Sequence, residues 1–105
     1  MSRWIDVGAA AEVPREDVVG VDADGRRLAV YCAPDGRFYA SDGLCTHEQV
    51  PLEEGFVIDH VIECPRHNGR FDYTTGKGQG SPICVDLRTY PARVVEGRIQ
   101  IDLDG

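Results

Sequence analysis

Val18-Val19-Gly20-Val21-Asp22-Ala23-Asp24-Gly25-Arg26-Arg27-Leu28-Ala29-Val30-Tyr31-Cys32-Ala33-Pro34-Asp35-Gly36-Arg37-Phe38-Tyr39-Ala40-Ser41 is the stretch in which the fold class is legible. Apolar, β-branched and aromatic residues fill Val18–Val21, Arg27–Ala33 and Arg37–Ser41, as a pleated, half-buried surface favours. Asp22-Ala23-Asp24-Gly25 and Pro34-Asp35-Gly36 separate them, and strand, Asp-Gly turn, strand is a hairpin signal. The same grammar continues outward. Trp4–Val7 reads as a short strand, and Phe56–Ile58 and Val61–Glu63 flank a turn at Asp59-His60. Asn68–Tyr73 runs into Thr74-Thr75-Gly76, and Tyr90–Val95 pairs with Arg98–Leu103 across Glu96-Gly97. No segment carries a long apolar stripe of helical period; Ala9–Val13 holds one helical turn at most. The expectation is an all-β fold of antiparallel strands, with residues 1–105 forming a single domain.

Chemistry concentrates in two short motifs, Cys45-Thr46-His47 and Cys64-Pro65-Arg66-His67. Each offers one thiolate and one imidazole, a donor pair that suits zinc or iron–sulfur chemistry. Zinc fingers usually join like with like, C-x(2–4)-C followed by H-x(3–5)-H, whereas here each half mixes Cys with His. Both pairs fall at strand–turn boundaries, and glycines at 43, 55 and 69 let backbone approach where side chains would obstruct. His60, in a polar turn, reads as solvent-exposed and not as a ligand. Cys32 and Cys84, each in an apolar run, read as buried small hydrophobes.

The flanking residues Gly43-Leu44-Cys45-Thr46-His47 and Ile62-Glu63-Cys64-Pro65-Arg66-His67-Asn68-Gly69-Arg70-Phe71-Asp72 resemble the two cluster-binding loops of small bacterial Rieske-type ferredoxins. Gly78-Gln79-Gly80-Ser81-Pro82 is similar to that family's Pro-containing loop, which shields the cluster. The resemblance runs from Trp4 to Leu103 and is nearest to ferredoxins serving oxygenases, including the type linked to rhizopine catabolism. It implies a Rieske antiparallel β-sandwich with a small cluster-binding subdomain inserted at about 43–71. It implies one [2Fe–2S] cluster held by Cys45, His47, Cys64 and His67, with the cysteines on one iron and the histidines on the other. Partners implied are a flavin-dependent NAD(P)H reductase and a terminal oxygenase or hydroxylase. Two readings stand beside the carrier: the small Rieske-like subunit of an assimilatory nitrite reductase, and a structural zinc module.

The ligand set and its neighbours bear on potential. Two neutral imidazoles in place of thiolates raise the oxidised cluster's formal charge from about −2 to zero, so Rieske potentials lie at about −150 to +300 mV against about −400 mV for plant-type clusters. High-potential relatives add a loop-bridging disulfide and Ser and Tyr hydroxyls. This chain has Val50 and Arg66 at the disulfide positions, Gly69 at the Ser position and Phe71 at the Tyr position. A low-potential centre is expected.

Bulk properties agree with a small carrier. A chain of 105 residues buries roughly 65% of its unfolded surface, enough for one core. The net charge of −7 argues against nucleic acid and suits docking on basic partners. Neither a membrane-spanning stretch nor a signal-peptide core is legible, so a cytoplasmic protein off the membrane is expected. No non-haem iron triad or Gly-rich nucleotide loop is apparent, which points to electron transfer and not catalysis. Glu16-Asp17 and Glu53-Glu54 read as solvated turns.

Overall fold

Leu28 to Ala33 is apolar at every position because this strand is covered on both faces. In the structure, a computed structural model that describes residues 2–46, 49–66, 69–79 and 85–105, all six of these residues are buried. Leu28, Val30 and Cys32 face one core, while Ala29, Tyr31 and Ala33 face another. A strand that alternates between two cores reads as a continuous hydrophobic run, and this one is the spine of a three-layer arrangement.

Among the described residues ten strands follow in chain order: β1 (Trp4–Ala9), β2 (Asp17–Ala23), β3 (Arg26–Cys32), β4 (Phe38–Asp42), β5 (Phe56–Ile58), β6 (Val61–Glu63), β7 (Arg70–Asp72), β8 (Thr89–Tyr90), β9 (Ala92–Val95) and β10 (Arg98–Asp102). They form three sheets, ordered β1-β10-β9, β2-β3-β4-β8 and β5-β6-β7. Every pairing is antiparallel. The first two sheets enclose a core of Val13, Leu28, Val30, Ala40, Tyr90, Ile99, Ile101 and Leu103. The third, smaller sheet comes between β4 and β8 in the chain and packs on the opposite face of β3. The all-β antiparallel sandwich with an inserted small subdomain is therefore the observed fold.

The hairpin chemistry is as the turns dictate. β2 and β3 meet across Asp24-Gly25, and β9 and β10 across Glu96-Gly97. Both residues of each turn have φ between 50° and 77°, the left-handed pair that matches strand twist. Pro34-Asp35-Gly36 closes the third hairpin with Gly36 at φ 88°.

One expected strand is divided. Tyr90–Val95 breaks at Pro91 into β8, which pairs with β4, and β9, which pairs with β10. Proline has no N–H to continue a ladder, so the chain changes sheets there. The expected helical turn is a single 3-10 turn at Ala10–Glu12. Among the described residues no helix is long and apolar enough to cross a membrane.

Asp102 closes the sandwich by joining the chain's two ends. Its carboxylate accepts the N–H of Arg3 at 2.8 Å and of Asp104 at 3.0 Å. The Arg3 N–H, seconded by that of Asp104, holds the carboxyl below its usual range. A depressed carboxyl contributes stability that is present above its unfolded value, about 3.9, and is lost as pH falls through the folded one. Asp102→Asn is therefore expected to lower Tm at pH 7, with the deficit shrinking as both proteins are titrated below pH ~4. A deficit that stays constant down to the lowest pH would place the effect in packing and not in ionisation.

Candidate metal centre

Both motif cysteines sit at the base of loops that hydrogen bonding closes in the same way. The Cys45 N–H donates to the Val50 carbonyl at 2.9 Å, and the Cys64 N–H donates to the Gly69 carbonyl at 2.7 Å. In each case the acceptor lies five residues on, so each loop is pinched behind its Cys and carries its His within the enclosed segment. A second bond, from the Gln49 N–H to the Cys45 carbonyl at 2.8 Å, tightens the first loop. Gln49 adopts φ 57° there. Leu44 and Pro51 form a β-bridge across its neck.

The thiols lie on the inner side of the small sheet. Cys45 and Cys64 are 1% and 0% exposed and belong to one apolar cluster with Leu52, Ile62, Phe71, Tyr73 and Leu87. No disulfide joins them. Two unoxidised, fully buried soft donors at the bases of matched loops fit a thiolate-ligated metal centre. His47 and His67 lie outside the described residues, as do Glu48, Asn68, Pro82 and Cys84. The structure thus positions two of the four expected ligands.

The surroundings are buried and largely apolar. Tyr31 and Tyr73 stack with centroids 4.5 Å apart and planes at 5°. Ser41 Oγ donates to the Asp42 carbonyl at 2.8 Å, so the Tyr31 hydroxyl donates to Ser41 Oγ, at 2.7 Å. Burial pushes both phenols well above the ordinary tyrosine range, so both stay neutral. Tyr73 donates to the Asp59 carbonyl at 2.6 Å and holds the β5–β6 turn. Gly55 presses so closely on the Glu63 carbonyl that a Cβ there would collide with it. That contact sets the end of the first loop against the residue before Cys64.

Several linkages escaped the sequence reading. Thr46, next to Cys45 in the first loop, donates its hydroxyl to the Val85 carbonyl at 2.7 Å, tying that loop to the segment after residue 84. Gly78 and Gln79 continue beside β7: Gly78 bridges Phe71, and the Gln79 N–H donates to the Arg70 carbonyl at 2.8 Å. Glu16, expected in a solvated turn, accepts the Asp59 N–H at 3.0 Å and joins the sandwich to the small sheet. Glu16 is nonetheless exposed as expected, whereas Glu53 is corrected: its side chain is 20% exposed and ion-paired with Arg27, because the turn at Leu52–Glu54 folds back onto β2 and β3. His60 is the expected surface residue, with its side chain 44% exposed and Nδ1 3.1 Å from Asp59. Cys32 is buried in the sandwich core, where desolvation raises its thiol pKa.

Comparison with known proteins agrees with this geometry. A family profile described as the Rieske [2Fe-2S] domain matches residues 3–91. The ferredoxin component of a naphthalene 1,2-dioxygenase system from Pseudomonas aeruginosa is 43% identical over 101 residues, covering 96% of each chain. Among solved structures, a chain from the complex of reduced oxygenase and oxidized ferredoxin in carbazole 1,9a-dioxygenase has a TM-score of 0.88 at 37% identity, over 94% of this chain and 92% of that one. A putative NADH-dependent nitrite reductase small subunit from Mycobacterium tuberculosis has a TM-score of 0.87 at 27% identity, over 97% and 96% of the two chains. With the family profile spanning both cysteine loops and a relative aligned along nearly its whole length, the chain belongs to the Rieske [2Fe-2S] family.

Proposed function

We propose that this chain is the electron-carrying ferredoxin of a multicomponent oxygenase system, taking single electrons from a flavin-dependent NAD(P)H reductase and delivering them to a terminal oxygenase. The observation that carries the reading is the end-to-end match with a dioxygenase-system ferredoxin, 96% of each chain. The chain is an electron-transfer component and not itself an enzyme.

Cys45 and Cys64 would hold one iron of a Rieske [2Fe–2S] cluster and His47 and His67 the other, within a cluster-binding insert at 43–71 of a single domain, 1–105. The cluster, when bound, accepts and releases one electron. What this chain's residues contribute is containment. Leu52, Ile62, Phe71 and Leu87 keep water from the thiol side, and the pinched loops fix the cysteines. A low potential follows from the hydroxyls that are missing: Phe71 brings no donor to the cysteine cluster, and Gly69 has no side chain. We place the carrier in the cytoplasm, where its reductant is regenerated.

Gly69→Ser is expected to raise the midpoint potential by about 40 mV, since a hydroxyl bond worth about 1 kcal/mol more in the reduced state corresponds to that shift for one electron. Protein-film voltammetry of both proteins measures it. A potential above about +100 mV for the unaltered protein, high in the Rieske range, would show that the missing hydroxyls do not control it.

The nitrite reductase reading has the lower identity, 27%, and is not favoured. The discriminating experiment is purification of the tagged chain from its own host. A carrier separates from its partners at moderate salt and passes electrons from reductase to oxygenase when remixed. Stoichiometric retention on a large nitrite-reducing chain would overturn the carrier reading.

A further inference from the structure

Arg27 holds both ends of the first ligand loop. Its carbonyl accepts the Gly43 N–H at 2.8 Å, at the point where the chain leaves β4 for Cys45. Its side chain reaches the loop's other end, where Nη2 pairs with Glu53 Oε2, while Nη1 stays within 3.2 Å of Asp22 on β2. Leu52 donates to the Gly43 carbonyl at 2.9 Å, so the two ends also meet directly. The pair crosses β2 where that strand has no side chain: a Cβ at Gly20 would strike both the Glu53 carboxylate and the Arg27 guanidinium. Gly20 lies opposite Ala29 in the β2–β3 ladder, so small residues floor the crossing. Glu53 Oε1 is buried and has no hydrogen-bond partner among the described residues. With that oxygen shut off from water, the carboxylate is held by its pairing with the Arg27 guanidinium.

We propose that Arg27 and Glu53, crossing the notch at Gly20, are positioning residues for the Cys45–His47 loop, fixing it on the sandwich so that Cys45 is presented to the metal in register with Cys64. The assignment rests on the metal-centre reading and goes beyond it by naming residues outside the ligand motifs. The ion pair replaces the missing loop-bridging disulfide as the constraint on this loop, and it acts from below instead of across the tip. Gly55 against the Glu63 carbonyl passes the same constraint to the strand that delivers Cys64.

The test uses the full-length protein as purified, with Glu53→Gln, Gly20→Ala, the reversed pair Arg27→Glu/Glu53→Arg, and Ile99→Val as a control in the other core. Gly20 has ordinary strand φ, so alanine there displaces the flexible tips of the pair without straining the backbone. Hydrogen exchange by mass spectrometry is expected to rise about fivefold in the peptide 43–55 for Glu53→Gln and Gly20→Ala, and to stay unchanged across β9–β10. Release of iron to a chelator should accelerate about fivefold, with a shifted EPR line shape, and the reversed pair should restore part of both, less the Arg27–Asp22 contact that it gives up. Ile99→Val should move neither. Unchanged exchange in 43–55, or an equal rise in the control, overturns the proposal. Should the purified protein hold zinc or no metal, the Rieske-cluster reading falls, and the exchange data alone decide the clamp.

Discussion

Cys45→Ser and Cys64→Ser are each expected to yield a protein without the [2Fe–2S] chromophore, with cluster occupancy reduced at least about tenfold and Tm lowered with it. The loss follows from the donor chemistry: an alcohol at neutral pH cannot replace a thiolate on iron, and one missing ligand opens the centre to hydrolysis. The fall in stability follows from linkage, because a group bound only by the folded chain stabilises it. The two variants should behave alike, since both cysteines are buried in one cluster and each closes its loop through its own N–H. Cys32→Ser is the internal contrast, since Cys32 lies in the sandwich core and not in the cluster of Cys45 and Cys64. It should keep the chromophore. Metal analysis and visible spectra check all three. Retention of full iron content by either loop variant would remove that cysteine from the ligand set.

Phe71→Ala is expected to cost about 3–5 kcal/mol, which is a large share of the 5–15 kcal/mol typical of a small domain. Phe71 is 0% exposed, sits in the middle of β7 opposite Ile62, and shares its cluster with both loop cysteines. Deleting the ring empties space between the small sheet and β3, beside the stacked rings of Tyr31 and Tyr73. Chemical denaturation gives the loss directly. A cost below about 1 kcal/mol would mean that the small sheet collapses freely onto β3.

Fold and site were legible to different depths, for physical reasons. Asp24-Gly25, Glu96-Gly97 and Pro34-Asp35-Gly36 announce their turns locally, because each needs left-handed φ that few other residues supply. The continuous run through β3 announced a strand, while its burial on both faces emerged only with the small sheet in place. The two Cys/His motifs stood out because metal coordination favours Cys and His at short spacings; the structure places Cys45 and Cys64 in one buried cluster, while His47 and His67 lie outside the described residues. What the sequence could not reveal are contacts between distant segments whose residues have no distinctive pattern. Glu53 and Glu16 look like any exposed acid until the chain returns to bring Arg27 and the Asp59 N–H beside them. Thr46 is an ordinary loop residue until Val85 comes within 2.7 Å. The break at Pro91 was readable in principle, since proline within a ladder argues for a change of partner.

The central claim is that Cys45, His47, Cys64 and His67 form one Rieske centre, and EPR with nitrogen hyperfine detection on the dithionite-reduced protein tests it most directly. The account predicts about two irons and two inorganic sulfides per chain, a reduced [2Fe–2S] signal, and couplings from two imidazole nitrogens that fall to one in His47→Cys or His67→Cys. Near-stoichiometric zinc without iron after anaerobic purification, or an iron–sulfur signal lacking nitrogen couplings, would contradict it.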